Sequence, residues 1–163
     1  MGTAFIFLNL RSINFVMKKS ILLFFVLLLS MGCQSVEKSD LELLNGYWEI
    51  TKVIQPDGTE TDFGINTIYD YYELDTNLKG IYKKATPQIN GTFLVDDYSE
   101  EIEIVEENGN FKIKFHSEFN DREVEIIEIL TNKLVIKNPE EITYYYKKAE
   151  PINLTEDELQ QTK

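Results

Sequence analysis

Between residues 46 and 148 the apolar positions come in short runs, most with a period of two, and each run ends at residues that favour turns. Residues 46–54 are rich in aromatic and β-branched side chains and stop at Pro56-Asp57-Gly58, where Pro presets φ and Gly accepts a positive one. Residues 67–74, 80–84 and 88–95 follow as strands, broken at Asp75-Thr76-Asn77, Thr86-Pro87 and Asp96-Asp97. Alternation is clearest in Ile102-Glu103-Ile104 and in Phe111 to Phe115. Asn108-Gly109 lies between these runs as the favoured type I′ pair, which predicts a hairpin. On its outward faces Glu101 and Glu103 stand against Lys112 and Lys114, so cross-strand charge pairing is predicted. Residues 124–129, 134–137 and 142–148 complete the series, with turns at Thr131-Asn132 and Asn138-Pro139. Turn signals every roughly 8 to 12 residues predict an antiparallel meander. Eight or nine such strands can close into an up-and-down β-barrel, which removes the exposed edges. A brief helical turn is predicted only at Leu41 to Asn45, or in the tail.

The first 33 residues follow a different pattern. Lys18-Lys19 precede nine apolar residues, Ile21 to Leu29, and Ser30-Met31-Gly32-Cys33 follow. A basic start, a short apolar stretch and a small residue before a cut define a secretory signal; the apolar stretch falls well short of the ~20 residues that span a bilayer. Leu29-Ser30-Met31-Gly32-Cys33 resembles the box cut by lipoprotein signal peptidase, with Ser30 where Leu is commonest and Leu29 displaced by one. The resemblance implies that Cys33 becomes thioether-linked to diacylglycerol and that the mature end carries palmitate-type acylation. Residues 1–16 contain no acid, and Met17 is the more natural start of the signal. Met1-Gly2 opens like a myristoylation motif, but Ile6 stands where Ser or Thr is needed. The organisation is therefore residues 1–32 as signal, 33–40 as a lipid-anchored polar tether, 41–149 as the barrel and 150–163 as a polar tail.

Removing 32 of 163 residues leaves 131, one domain's worth of chain. All 28 acids follow Cys33 and only 13 cations do, so the mature charge is −15. Such a field disfavours nucleic acid and anionic lipid surfaces and serves solubility. It does not mark a calcium site, because Glu106-Glu107-Asn108-Gly109 has the wrong ligand order for an EF-hand.

Gly46-Tyr47-Trp48 resembles the G-x-W motif that opens the first strand of lipocalins, and residues 41–148 are similar in layout to the lipocalin-like domains of bacterial lipoproteins. The resemblance implies an all-β antiparallel barrel of about eight strands, closed at one end by Trp48 and open at the other to a small apolar ligand. In that family an arginine from late in the chain often lies over the tryptophan. Arg122 is the only arginine after Cys33, yet it precedes the 124–129 strand, so the role is not assigned to it.

Trp48 reads equally as a plain core aromatic. Fourteen Phe and Tyr residues follow Cys33, enough large rings to fill a small barrel. Tyr69, Tyr71 and Tyr72, and Tyr144, Tyr145 and Tyr146, form two clusters whose alternate members face opposite sides. Trp48, Tyr71, Tyr144 and Tyr146 are the candidate ligand-binding residues, with rings to stack on an amphipathic ligand and hydroxyls to fix its polar end. Catalytic residues, a metal set and a cofactor are not indicated. His116 is the single histidine, its neighbours Ser117 and Glu118 do not make a triad, and no phosphate-cradling loop occurs. The carboxylate pairs Asp96-Asp97, Glu100-Glu101 and Glu140-Glu141 fall where charge is ordinarily solvated, so no enzyme is expected. Two readings stay open: a lipid-anchored lipocalin-like module binding a small apolar or amphipathic ligand, and an envelope interaction lipoprotein with a filled barrel. Cys33 carries no following Asp, and Ser35 occupies the second position after it, which favours the outer membrane without fixing which face.

Overall fold

The computed structural model describes residues 35–118 and 120–149. Cys33, the signal at 1–32 and the tail at 150–163 lie outside the described residues. A 3₁₀ helix, Lys38–Leu44, takes in the last part of the segment read as tether and precedes ten strands. These are β1 (Gly46–Ile54), β2 (Glu60–Asp62), β3 (Tyr69–Leu74), β4 (Lys79–Pro87), β5 (Phe93–Val95), β6 (Glu100–Glu107), β7 (Asn110–His116), β8 (Arg122–Leu130), β9 (Lys133–Lys137) and β10 (Thr143–Lys148).

Every pairing is antiparallel, and β10 returns to pair with β1 from Trp48↔Lys148 to Ile54↔Thr143, so the sheet closes. The wall has eight staves because two of them are broken. β1 pairs with β3 over Gly46 to Trp48 and with β2 over Lys52 to Ile54; β4 pairs with β6 over Lys79 to Tyr82 and with β5 over Ala85 to Pro87. An up-and-down barrel of about eight strands is therefore what the chain forms.

The strand rules explain the clearest elements. Asn108 and Gly109 both have positive φ, 55° and 82°, and Glu107 pairs with Asn110 across them, as a type I′ turn requires. Alternation puts Ile102, Ile104, Phe111, Ile113 and Phe115 inside. Burying each of these side chains contributes about 1.5–3 kcal/mol. In β8 a register irregularity between Ile126 and Glu128 lets Ile126 and Ile129 both face the core while Ile127 faces out.

Three expectations needed correction. β2 was unforeseen, because Glu60-Thr61-Asp62 is wholly exposed and carries no apolar signal. β4 runs through Thr86-Pro87 instead of breaking there. Pro87 is its last residue, and the turn follows in 88–92, where the Gln88 amide donates to Thr92 O at 2.8 Å; this shortens the strand expected at 88–95 to Phe93–Val95. The hairpin lysines do pair with acids, but Lys112 reaches Glu107 and Glu123, Lys114 reaches Glu107, and Glu103 is taken by Lys79 of β4. These exposed pairs add little to stability.

The two ends of the barrel differ. At one end are the turns 75–78, 108–109 and 131–132 and the 3₁₀ helix, whose Leu41 and Leu44 are fully buried in the core. At the other are the segments 55–59, 88–92 and 138–142 and residues 117–118 and 120–121.

Candidate functional site

A cavity of about 1060 Å³ opens at the end that carries residues 117–118, 120–121 and 138–142. Its walls carry six Tyr and Phe rings, the exposed Tyr98 and, in the barrel wall, Tyr72, Tyr82, Phe115, Tyr144 and Tyr146, with Val124 and Ile136 among them. Strand geometry aims those in the barrel wall inward: Tyr72 pairs with Tyr82 across β3 and β4, and Tyr82 meets Phe115 edge-on at 5.2 Å between centroids, at 90°. Tyr144 and Tyr146 alternate with the outward Tyr145 on β10, opposite Val53 and Ile50 of β1.

Within this aromatic wall lies an acid. Asp70 of β3 is 7% exposed; its Oδ1 accepts the Tyr82 hydroxyl at 2.8 Å and the Lys84 ammonium, and the Tyr146 hydroxyl is turned to the same carboxylate. Burial, reinforced by the Asp70 charge, pushes the phenols of Tyr72, Tyr82 and Tyr146 far above their ordinary range. All three remain hydroxyl donors at any physiological pH. Nearer the mouth, Arg122 donates to Glu100 Oε2 at 2.6 Å, and its guanidinium lies 3.5 Å from the Phe115 centroid. Among the described residues no buried side-chain polar atom lacks a hydrogen-bond partner. The arrangement is a preformed concave space with rings and hydroxyls held in its wall and ten charged side chains among its lining residues.

The opposite end is sealed by Trp48. Fully buried, it donates Nε1–H to Leu44 O at 2.7 Å, tying the 3₁₀ helix to β1. Lys148, two residues past Tyr146 at the end of β10, lies over it with Nζ 4.2 Å from the ring and donates to Leu43 O at 2.8 Å and to Asn45 O. Those carbonyls stand at the helix C-terminus, where acceptors have no partner within the helix. Gly46 is needed at the same place: its φ is 111°, and a Cβ there would meet Lys148 Cε at 3.3 Å.

Of the four candidates from the sequence, Tyr144 and Tyr146 line the cavity together. Trp48 is inside the barrel but belongs to the sealed end. Tyr71 is on the outer wall, its hydroxyl bonded to Glu73 at 2.9 Å and its ring 4.7 Å from that of Tyr47, which stacks on Phe93 at 3.9 Å. Burial pushes the Tyr71 phenol up to about 12. Asp70, Tyr72 and Tyr82 were missed. Their signal was parity, since Asp70 and Tyr72 alternate with the core-packed Leu74, whereas Tyr71 alternates with the exposed Glu73. A buried acid on the inward face reversed that cue. Lys148, and not Arg122, is the cation over Trp48; Arg122 belongs to the cavity. His116 sits on the rim, half exposed, with Nδ1 3.4 Å from Asp121.

No protein-family model matches the chain, and no curated protein does. Solved structures similar to it include a lipocalin-like protein from Bacteroides uniformis ATCC 8492, with 10% identity and a TM-score of 0.42 over 66% of this chain and 99% of that one. An uncharacterized protein from Bacteroides eggerthii DSM 20697 is similar at 14% identity and a TM-score of 0.41, over 65% and 99%.

Proposed function

We propose that this chain is an envelope lipoprotein, held to the outer membrane by lipid on Cys33, whose barrel binds a small amphipathic molecule without transforming it. The observation that carries the reading is the space at the barrel mouth: about 1060 Å³ with rings and fixed hydroxyls in its wall, at the upper end of the size of small-molecule sites. A barrel serving only as an interaction module has no need of it and would be filled by its own side chains. Anchoring is supported by the run from Lys18 to Cys33. Binding is supported by the hydrogen-bonded buried polar atoms of the wall, which hold the rings and hydroxyls in fixed positions, while the single histidine, His116, stands on the rim beside Asp121.

Native mass spectrometry of the full chain, extracted in mild detergent from its own envelope and compared with the denatured protein, tests both parts. Support would be a diacylglycerol-sized increment on Cys33 that survives denaturation, together with a second, non-covalent increment that does not. An unmodified Cys33 would refute the anchor, and a protein that carries nothing and takes up nothing from its own lipid and metabolite extract would refute the binding role.

A further inference from the structure

The cavity already holds two cations against its rings. The Arg122 guanidinium is 3.5 Å from the Phe115 centroid and 5.2 Å from that of Tyr82, and Lys84 Nζ is 5.3 Å from Tyr82 on its way to Asp70. Ring faces with a carboxylate at their centre attract a cation through both the ring quadrupole and the ion pair, and desolvation strengthens both. The Lys84 side chain is 51% exposed while that of Asp70 is 10% exposed. One partner of this pair is thus fixed in the wall and the other reaches in from solvent. A competing ammonium can take the place of Lys84 and leave Asp70 paired, at little cost to the lysine, which is rehydrated.

The charges around the space point the same way. Asp70, Asp96, Glu100, Asp121, Glu123 and Glu140 line it against Lys83, Lys84, Lys114 and Arg122. Lys84, Lys114 and Arg122 each have a carboxylate partner. Among the described residues Asp96 and Glu140 form no ion pair, Asp121 has only His116, and Lys83 is the one lining cation outside a pair. An anionic ligand would find only Lys83 free of a carboxylate partner among the lining cations of the described residues, inside an excess of negative charge.

We infer that the cavity selects cationic amphiphiles: an organic ammonium on an apolar body, with the ammonium at Asp70 in place of Lys84 and the body against Tyr72, Tyr82, Phe115 and Tyr146. The inference rests on the cavity being a ligand site, as proposed above, and it names the ligand's chemistry.

Three probes of one shape and different charge test it: 1-naphthylmethylamine, 1-naphthalenemethanol and 1-naphthoate, titrated calorimetrically into the full chain at neutral pH. The amine is expected to bind at least tenfold tighter than the alcohol, with the carboxylate weakest. Asp70→Asn should shrink the gap between amine and alcohol to under threefold. Lys84→Met, at a half-exposed position, should tighten the amine severalfold and leave the alcohol unchanged, so the test does not depend on Asp70→Asn folding. Equal binding of amine and alcohol, or tightest binding of the carboxylate, overturns the cationic selectivity and leaves the cavity as a ligand site. Failure of all three probes overturns the selectivity, and together with an empty native mass spectrum it overturns the binding role as well.

Discussion

Lys148 is the most informative residue to change at the sealed end of the barrel. Lys148→Met keeps the aliphatic stem over Trp48 and against Gly46 and removes only the ammonium. Lost with it are the bonds to Leu43 O and Asn45 O, hydrogen bonds from a charged donor worth about 1.5–3 kcal/mol each in favourable settings. The cation over the ring adds about 0.5–2 kcal/mol. Against this stands the release of a half-buried charge, since burial lowers the Lys148 pKa to about 8. The net loss expected is about 2 kcal/mol, a large part of the 5–15 kcal/mol typical of a domain. Urea unfolding read by Trp48 fluorescence measures it, because Trp48 is the only tryptophan in the chain. The midpoint should fall at constant m-value, and Trp48 emission should shift to the red as the helix loosens. The sign of the pH dependence follows from the lowered pKa: between about pH 8 and the unfolded value of 10.5, the unfolded chain binds more protons than the folded one. Stability from this group therefore rises with pH across that window, and the rise is absent in Lys148→Met. A variant as stable as the wild type at pH 7, with unchanged emission, would refute Lys148 as the latch of the plug.

Leu41→Ala, which truncates a fully buried side chain of the 3₁₀ helix, should cost about 2–5 kcal/mol in the same unfolding assay while leaving the cavity rings untouched. Gly46→Ala puts a Cβ at a φ of 111° and 3.3 Å from Lys148 Cε, and should cost about 1–3 kcal/mol by thermal melting. Tyr72, Tyr82 and Tyr146 have folded pKa values raised above 10 by burial, so their contribution to stability is complete below pH 10 and is lost as pH rises beyond it. Tyrosinate absorbance near 295 nm should accordingly show these phenols titrating only with unfolding.

The barrel was legible because its strands obey period two and its sharpest turns use the residues that such turns require, Asn108-Gly109 and Pro56-Asp57-Gly58. β2 and the true end of β4 were not, since both depend on what pairs beside them: Glu60-Thr61-Asp62 becomes a strand only by lying against Lys52 to Ile54. The cavity was half legible. Tyr144 and Tyr146 followed from alternation on a strand with no competing cue. On β3 the inward face carries an acid, and a carboxylate that is stable only because Tyr82 and Lys84 reach it from the next strand has no local signature. Lys148 was hidden for the same reason, as its partners Leu43 O and Asn45 O are backbone atoms more than a hundred residues away.

The central claim is that the mouth of the barrel holds a small molecule, and Val124→Trp tests it by filling the space from its own wall. Wild type and variant are purified side by side from the same envelope, checked for cooperative melting, and compared by native mass spectrometry. A non-covalent increment is expected on the wild type and is lost from a folded Val124→Trp. The same increment at equal occupancy on both proteins would place the ligand elsewhere and contradict the claim.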